Sequence, residues 1–137
     1  MTQIKQFLTK NIKTADVEED IKSLAKKMSN SDIGFLPILQ NGNYVGVITD
    51  RDLVVKGLAK DLNKAEDIMT KDVVTGSSDL DVEDAVGLMK KNNIYRLLII
   101  DDHEIQGVVS LGDLGTKDAE NLIANTVSKI SKEEDNN

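Results

Sequence analysis

The sequence predicts a mixed α/β fold of the α+β kind, two β-α-β-β-α repeats related by a pseudo-two-fold axis. Three observations carry this prediction. Gly46-Val47-Ile48-Thr49-Asp50-Arg51-Asp52-Leu53 returns 61 residues later as Gly107-Val108-Val109-Ser110-Leu111-Gly112-Asp113-Leu114, keeping the glycine, two β-branched residues, a hydroxyl and an acid three positions on. The same offset, without a gap, pairs Leu8 with Met69, Thr14 with Thr75, Ile21 with Val82, Met28 with Met89, Ile33 with Ile94 and Ile38 with Ile99. Within each copy a helical apolar stripe is followed by two apolar runs separated by a polar turn. An internal repeat dictates architecture ahead of any local signal. The expected boundaries are 1–60 for the first repeat, 61–125 for the second, and 126–137 for a helix end and disordered tail.

Residues 3–9 are mildly helical, and their copy Lys64-Ala65-Glu66-Asp67-Ile68-Met69 reads as a short helical turn. A brief β-like segment follows each, at 11–14 and 72–75. Asp16 opens a helix with Ile21, Leu24, Ala25 and Met28 on one stripe, repeated by Val82, Ala85, Val86 and Met89. Ser78 with Asp81, or Asp79 alone, supplies the start signal of the second helix, and Lys26, Lys27, Lys90 and Lys91 suit the negative end of the helix dipole. Gly34-Phe35-Leu36-Pro37-Ile38-Leu39 and Tyr44-Val45-Gly46-Val47-Ile48 flank Asn41-Gly42, a hairpin signal. Arg96–Ile100 and Ile105–Val109 flank the turn Asp101-Asp102-His103-Glu104. A helix begins near Asp50 and runs through Leu53, Val54, Val55 and Leu58; a polar connector follows over 57–64. Residues 118–130 carry Ala119, Leu122, Ile123, Val127 and Ile130 at helical spacing, and the polar stretch from Ser131 has nothing to bury.

At 137 residues the chain suits one domain whose two halves share a core. With 24 acidic and 17 basic side chains, a formal charge of −7, it repels nucleic acid backbones and anionic membranes, and neither is expected as a partner. It has no cysteine, one histidine and no apolar run of membrane-spanning length, and Met1–Lys5 lacks the apolar core of a secretory signal. Cytoplasmic residence is the expectation. No catalytic arrangement emerges, because a nucleophilic triad needs a positioned base beside a hydroxyl or thiol and metal sites want clustered histidine or cysteine. The chain is expected not to be an enzyme.

The repeated corner offers two kinds of chemistry. A helix start presents unpaired N–H groups and partial positive charge to a phosphate, and the hydroxyls of Thr49 and Ser110 add donors. Ionised Asp52 and Asp113 are acceptors only, so each can receive two hydrogen bonds from the vicinal diol of a ribose. Rossmann folds place an acid on ribose for the same reason. Ile12, Val73, Ile33, Ile94, Phe35 and Pro37 can hold a flat base. Against this stands helix capping: Thr49 with Asp52 and Ser110 with Asp113 fit the capping box, which stabilises a helix start by about 1 kcal/mol with no ligand. On spacing alone capping is favoured, and the two roles are compatible.

Taken together, Ile68-Met69-Thr70 with Val73-Val74-Thr75, Gly34-Phe35-Leu36-Pro37-Ile38 and the two glycine-hydroxyl-acid stretches resemble a tandem pair of cystathionine-β-synthase-type (CBS) domains, a Bateman module, over residues 3–123. The resemblance implies a stand-alone regulatory protein that binds AMP, ADP, ATP or S-adenosylmethionine in clefts between the repeats and carries no further cofactor. By position it implicates Thr14, Gly34, Phe35, Pro37, Thr49, Arg51 and Asp52 in one set. The other set is Thr75, Tyr95, Arg96, Leu97, Ser110 and Asp113. It also implies a homodimer formed through helices, and an unidentified regulated protein as partner. Leu98 in place of Pro37, and Leu8 in place of Met69, imply clefts of different shape.

Arg51 and Arg96 are the only arginines; their planar forks suit phosphate, and ordinary surface positions account for them equally well. Tyr95 suits stacking on a base or partial burial at a strand start. Met28, Met69 and Met89 are expected as core filling, and His103 as a solvated turn residue. A ligand-free dimerisation or interaction scaffold is the competing expectation.

Overall fold

Strand pairing in this computed structural model, which describes residues 3–114, gives two three-stranded sheets of identical plan. The terminal helix and tail expected after residue 114 lie outside the described residues. Of those described, 12–73 form one unit, and 3–11 with 74–114 form the other.

In the first unit, β1 (Ala15–Asp16) runs parallel to β2 (Phe35–Gln40), which pairs antiparallel with β3 (Asn43–Thr49). Helix α1 (Ile21–Ser31) makes the crossover between β1 and β2. Asp20 caps it, accepting from the Ser23 N–H at 2.8 Å, and Asp32 closes it in the left-handed conformation at φ 51°. The helix therefore starts four or five residues later than Asp16, because β1 occupies 15–16, just beyond the expected 11–14 segment. Leu24 and Met28 of the expected stripe are buried, but Ala25 is exposed. The core joins them to Ala15, Val17, Leu36, Ile38, Ile48 and Leu53.

The second unit repeats this with β4 (Thr75–Gly76), α4 (Val82–Lys91), β5 (Arg96–Asp101) and β6 (Glu104–Ser110). Asp81 is the α4 cap, accepting from the Asp84 N–H at 2.8 Å, so Ser78 and Asp79 are freed from that role. Val82, Ala85, Val86 and Met89 are all buried, as their spacing predicts.

Both hairpins turn through two residues with positive φ, Asn41 and Gly42 in the first, Asp102 and His103 in the second, the twist that suits flanking strands. Each carries a bulge at the same register. Ile38 faces Gly46 while Leu39 faces Tyr44, leaving Val45 extra; Ile99 faces Gly107 while Ile100 faces Ile105, leaving Gln106 extra.

The units cross the sequence repeats. The helical turn α3 (Ala65–Ile68), at the start of the second repeat, buries Ala65 and Ile68 in the core of the first unit. Thr70 then pairs with Val47, exchanging N–H···O bonds of 2.8 and 3.0 Å. In the same way the 3-10 turn Ile4–Phe7 buries Ile4 in the second unit, and Thr9 exchanges bonds of 2.9 and 3.0 Å with Val108. The repeated glycine makes room for this. A Cβ on Gly46 would meet the Thr70 carbonyl oxygen at 2.9 Å, and one on Gly107 the Thr9 carbonyl oxygen at 2.8 Å.

After β3 the chain makes one helical turn, α2 (Asp50–Asp52), and continues as a π-helix over Leu53–Leu58. Gly57 is buried within that π segment rather than in a polar connector, packed so close to α1 that a Cβ would lie 2.2 Å from Ile21 Cδ1. Leu53 turns inward. Val54, Val55 and Leu58 do not, remaining 58%, 44% and 70% exposed.

Candidate ligand site

Antiparallel pairing of β2 with β3, and parallel pairing of β1 with β2, bring the start of β1, the start of β2 and the end of β3 to one end of the first sheet. Gly34, Phe35 and Thr49 therefore share that end, with Thr14 two residues further along, level with Pro37. The Asp50 N–H donates to the Gly34 carbonyl at 2.9 Å, which ties the helix start to the entry of β2. Phe35 is half-buried and faces Thr49 in the register; Pro37 is buried beside Val47. Arg51 is exposed.

The corner itself is a full capping box. The Asp52 N–H donates to Thr49 Oγ1 at 3.2 Å, and the Thr49 N–H donates to Asp52 Oδ2 at 2.9 Å. Asp52 Oδ1 faces Lys56 Nζ at 3.4 Å, and that ammonium also donates to Thr70 Oγ1 at 3.3 Å. The Asp52 side chain is only 14% exposed. A diol approaching here meets one oxygen committed to the backbone and another shared with an ammonium.

The second corner repeats the geometry. The Leu111 N–H donates to the Tyr95 carbonyl at 3.1 Å. Ser110 and Asp113 form the capping box, with the Asp113 N–H donating to Ser110 Oγ at 3.2 Å and the Ser110 N–H donating to Asp113 Oδ2 at 3.1 Å. Asp113 is exposed, as are Arg96, which faces Ser110 in the register, and Tyr95, at 46%. Thr75 faces Leu98 on β5. Leu97 is fully buried in the core, so only its backbone is left for a ligand, and Leu98 is buried like Pro37. Each of the two expected residue sets thus falls within one unit.

Among the described residues, no group of three or more His, Asp or Glu side chains is placed to hold a metal ion. Nor is any described helix long and apolar enough to cross a membrane.

Two polar clusters beside the first strand of each unit, one at the entry of β1 and one past the end of β4, escape the motif reading. In the first unit Glu19 accepts from the Asp16 N–H, the Ser23 hydroxyl and Lys27. Burial works to raise its carboxyl, but those hydrogen bonds and the charge of Lys27 outweigh it and hold the group below its ordinary range. The signal available was the four-residue spacing of Glu19, Ser23 and Lys27. Lys27 accordingly turns back toward Glu19 and not to the helix end. In the second unit the Ser78 N–H and hydroxyl both donate to Asp101, lowering its carboxyl against a smaller opposing effect of burial. Those two residues are 23 apart, and nothing local announces the pair.

Residues 4–57 and 65–115 each match the CBS domain. The chain is 30% identical to uncharacterized protein YlbB of Bacillus subtilis over 99% of its own length and 95% of the relative's. It is 29% identical to CBS domain-containing protein YhcV of the same organism, over 88% and 89%. Among solved structures, the CBS domain pair of protein MJ0100, crystallised in complex with 5′-methylthioadenosine and S-adenosyl-L-methionine, superposes with a TM-score of 0.69 at 34% identity, covering 82% of this chain and 92% of that one. The chain belongs to the CBS domain family, with two such domains in tandem.

Proposed function

We propose that this CBS pair is a regulatory sensor of adenosine-containing ligands, AMP, ADP, ATP or S-adenosylmethionine, held at the two capped corners. The observation that carries the reading is the duplicated corner itself: a hydroxyl and a carboxylate at a helix start beside the entry of a strand, in a chain 34% identical to a CBS pair crystallised with adenosine derivatives. Asp52 and Asp113 accept from the ribose diol, Thr49 and Ser110 donate to phosphate, Arg51 and Arg96 face its charge, and Phe35 and Tyr95 cover the base. Thr14, Thr75, Gly34, Pro37 and Leu97 contribute strand-entry backbone. Ligand binding signals by favouring one of two arrangements of the protein, since a ligand moves an equilibrium only by its differential affinity.

The same reading makes the protein a non-catalytic, cytoplasmic homodimer that acts on another chain. The exposed ridge Val54, Val55 and Leu58 supports self-association, because apolar surface concentrated on one helix is costly in water.

Calorimetric titration with the four ligands tests the reading, in the wild type and in Asp52→Asn and Asp113→Asn. Asparagine retains an acceptor for the capping N–H and loses the anionic one, so binding at the altered corner falls roughly tenfold or more with the melting temperature little changed. Absence of binding of all four ligands by the wild type removes the proposal. A second reading, a ligand-free interaction scaffold, is favoured by one observation: each acid is already engaged by its own helix start. That titration separates the two, and recovery of the ligand unchanged by chromatography excludes turnover.

A further inference from the structure

Glu19, Ser23 and Lys27 stand four residues apart, from the turn before α1 onto one of its faces, and converge on the entry of β1. Lys27 Nζ donates to Glu19 Oε2 at 2.9 Å and to the Thr14 carbonyl oxygen at 3.0 Å. The Ser23 hydroxyl donates to Glu19 Oε1 at 2.8 Å, and the Asp16 N–H donates to Glu19 Oε2 at 2.6 Å. The carboxylate holds the ammonium in place, and the ammonium closes on the residue immediately before β1. Strand β1 is two residues long and meets β2 at two Cα positions only, so ladder bonds do little to hold Thr14. A charge-assisted hydrogen bond to its carbonyl is the stronger constraint.

The second unit lacks this device. At the same offset Thr14, Glu19 and Lys27 become Thr75, Leu80 and Leu88, and both leucines pack against the apolar core. Hydrocarbon takes the place of the ion pair there, while Ser78 is anchored elsewhere, on Asp101. The corners thus share their capping boxes and differ in what supports the strand beside them.

We propose that Lys27 is a positioning residue for the first corner: by gripping the Thr14 carbonyl it sets the strand-entry edge on which an adenosine ligand seats, and it makes the two corners unequal. The inference rests on the nucleotide reading above. It assigns Lys27 no contact with the ligand.

The test is a nuclear magnetic resonance titration of the full chain with AMP and, separately, S-adenosylmethionine, using the Asp52 and Asp113 amides as reporters of the two corners. Lys27→Met removes the ammonium and keeps its apolar stem. Expected is a roughly tenfold loss of affinity reported by Asp52, with that reported by Asp113 unchanged within about twofold. Lys27→Arg restores binding at Asp52, because a guanidinium can reach both the carbonyl and the carboxylate. If Lys27→Met fails to fold, Glu19→Gln, which loosens the ammonium without removing it, gives a smaller loss confined to Asp52. Unchanged affinity at Asp52 in the folded variant, an equal loss at both reporters, or no rescue by arginine overturns the proposal. No response of either amide in the wild type overturns the nucleotide reading, and this inference with it.

Discussion

Single residues show where a pattern in the sequence suffices and where it does not. The acid three positions after Thr49 and after Ser110 announces a capping box, because both partners lie within one turn of chain, and both boxes form. By position Lys27 complements a helix end, yet its acceptors are Glu19 and the carbonyl of Thr14, thirteen residues back, a distance at which spacing says nothing. The Glu19 carboxyl sits below its ordinary value of 4.5 in the fold, so its contribution to stability is complete above that pH and is lost as pH falls through the lower folded value. With the two side chains 38% and 22% exposed, solvent screens the pair. Glu19→Gln is therefore expected to cost about 0.5–1 kcal/mol at pH 7, and its denaturation midpoint to converge on the wild type below pH 4.5. A gap that persists in acid would show that the charge is not what stabilises. Tyr44 presents the opposite case. Its hydroxyl is buried with no hydrogen-bond partner among the described residues, and burial pushes its pKa up. Tyr44→Phe removes an unsatisfied polar group, so urea unfolding should show a gain of about 1 kcal/mol, and a loss of that size would reveal a hidden partner.

At the scale of elements, the strands and hairpins were legible and the helix boundaries less so. Apolar runs and the turn residues between them place β2, β3, β5 and β6 to within a residue or two. The strands β1 and β4 are two residues each, too short for a pattern to fix their bounds, and Asp16 and Asp20 both offer a cap, so the sequence alone sets the start of α1 too early. The π-helix of Leu53–Leu58 leaves no mark in the sequence, where Leu53, Val54, Val55 and Leu58 predict only a helix running on from Asp50; in the fold only Leu53 and Gly57 turn inward. The second hairpin places His103 at φ 68°, where the first has Gly42 at φ 83°. A side chain other than glycine is strained in that region. His103→Gly should raise stability by roughly 0.5–1 kcal/mol in thermal melts. A fall would mean that the imidazole makes a contact worth more than the relief of strain.

For the whole molecule, the repeat correctly forecast two copies of one topology, but not that each unit completes its core with the leading segment of the other repeat. Pairing of equivalent residues is blind to this, because exchanged and unexchanged arrangements bury the same positions. Ile68 belongs by sequence to the second repeat and by packing to the first unit. Ile68→Ala should cost about 2–4 kcal/mol and hasten amide exchange at Leu36, Ile38 and Ile48 before Leu97, Ile99 and Val109 respond. The reverse order would contradict the exchange.

The exchange also sets the order in which the protein can be finished during translation. Every residue of the 12–73 unit is present once Val73 has been made and has cleared the ribosome, so that unit can close early. The stretch 3–11, made before that unit, has no place to dock until β5 and β6 follow, and Ile4 has no core to enter throughout that interval. A crowded polysome gives that waiting peptide a choice between its own chain and a neighbour's, so slow synthesis at high expression favours entangled dimers.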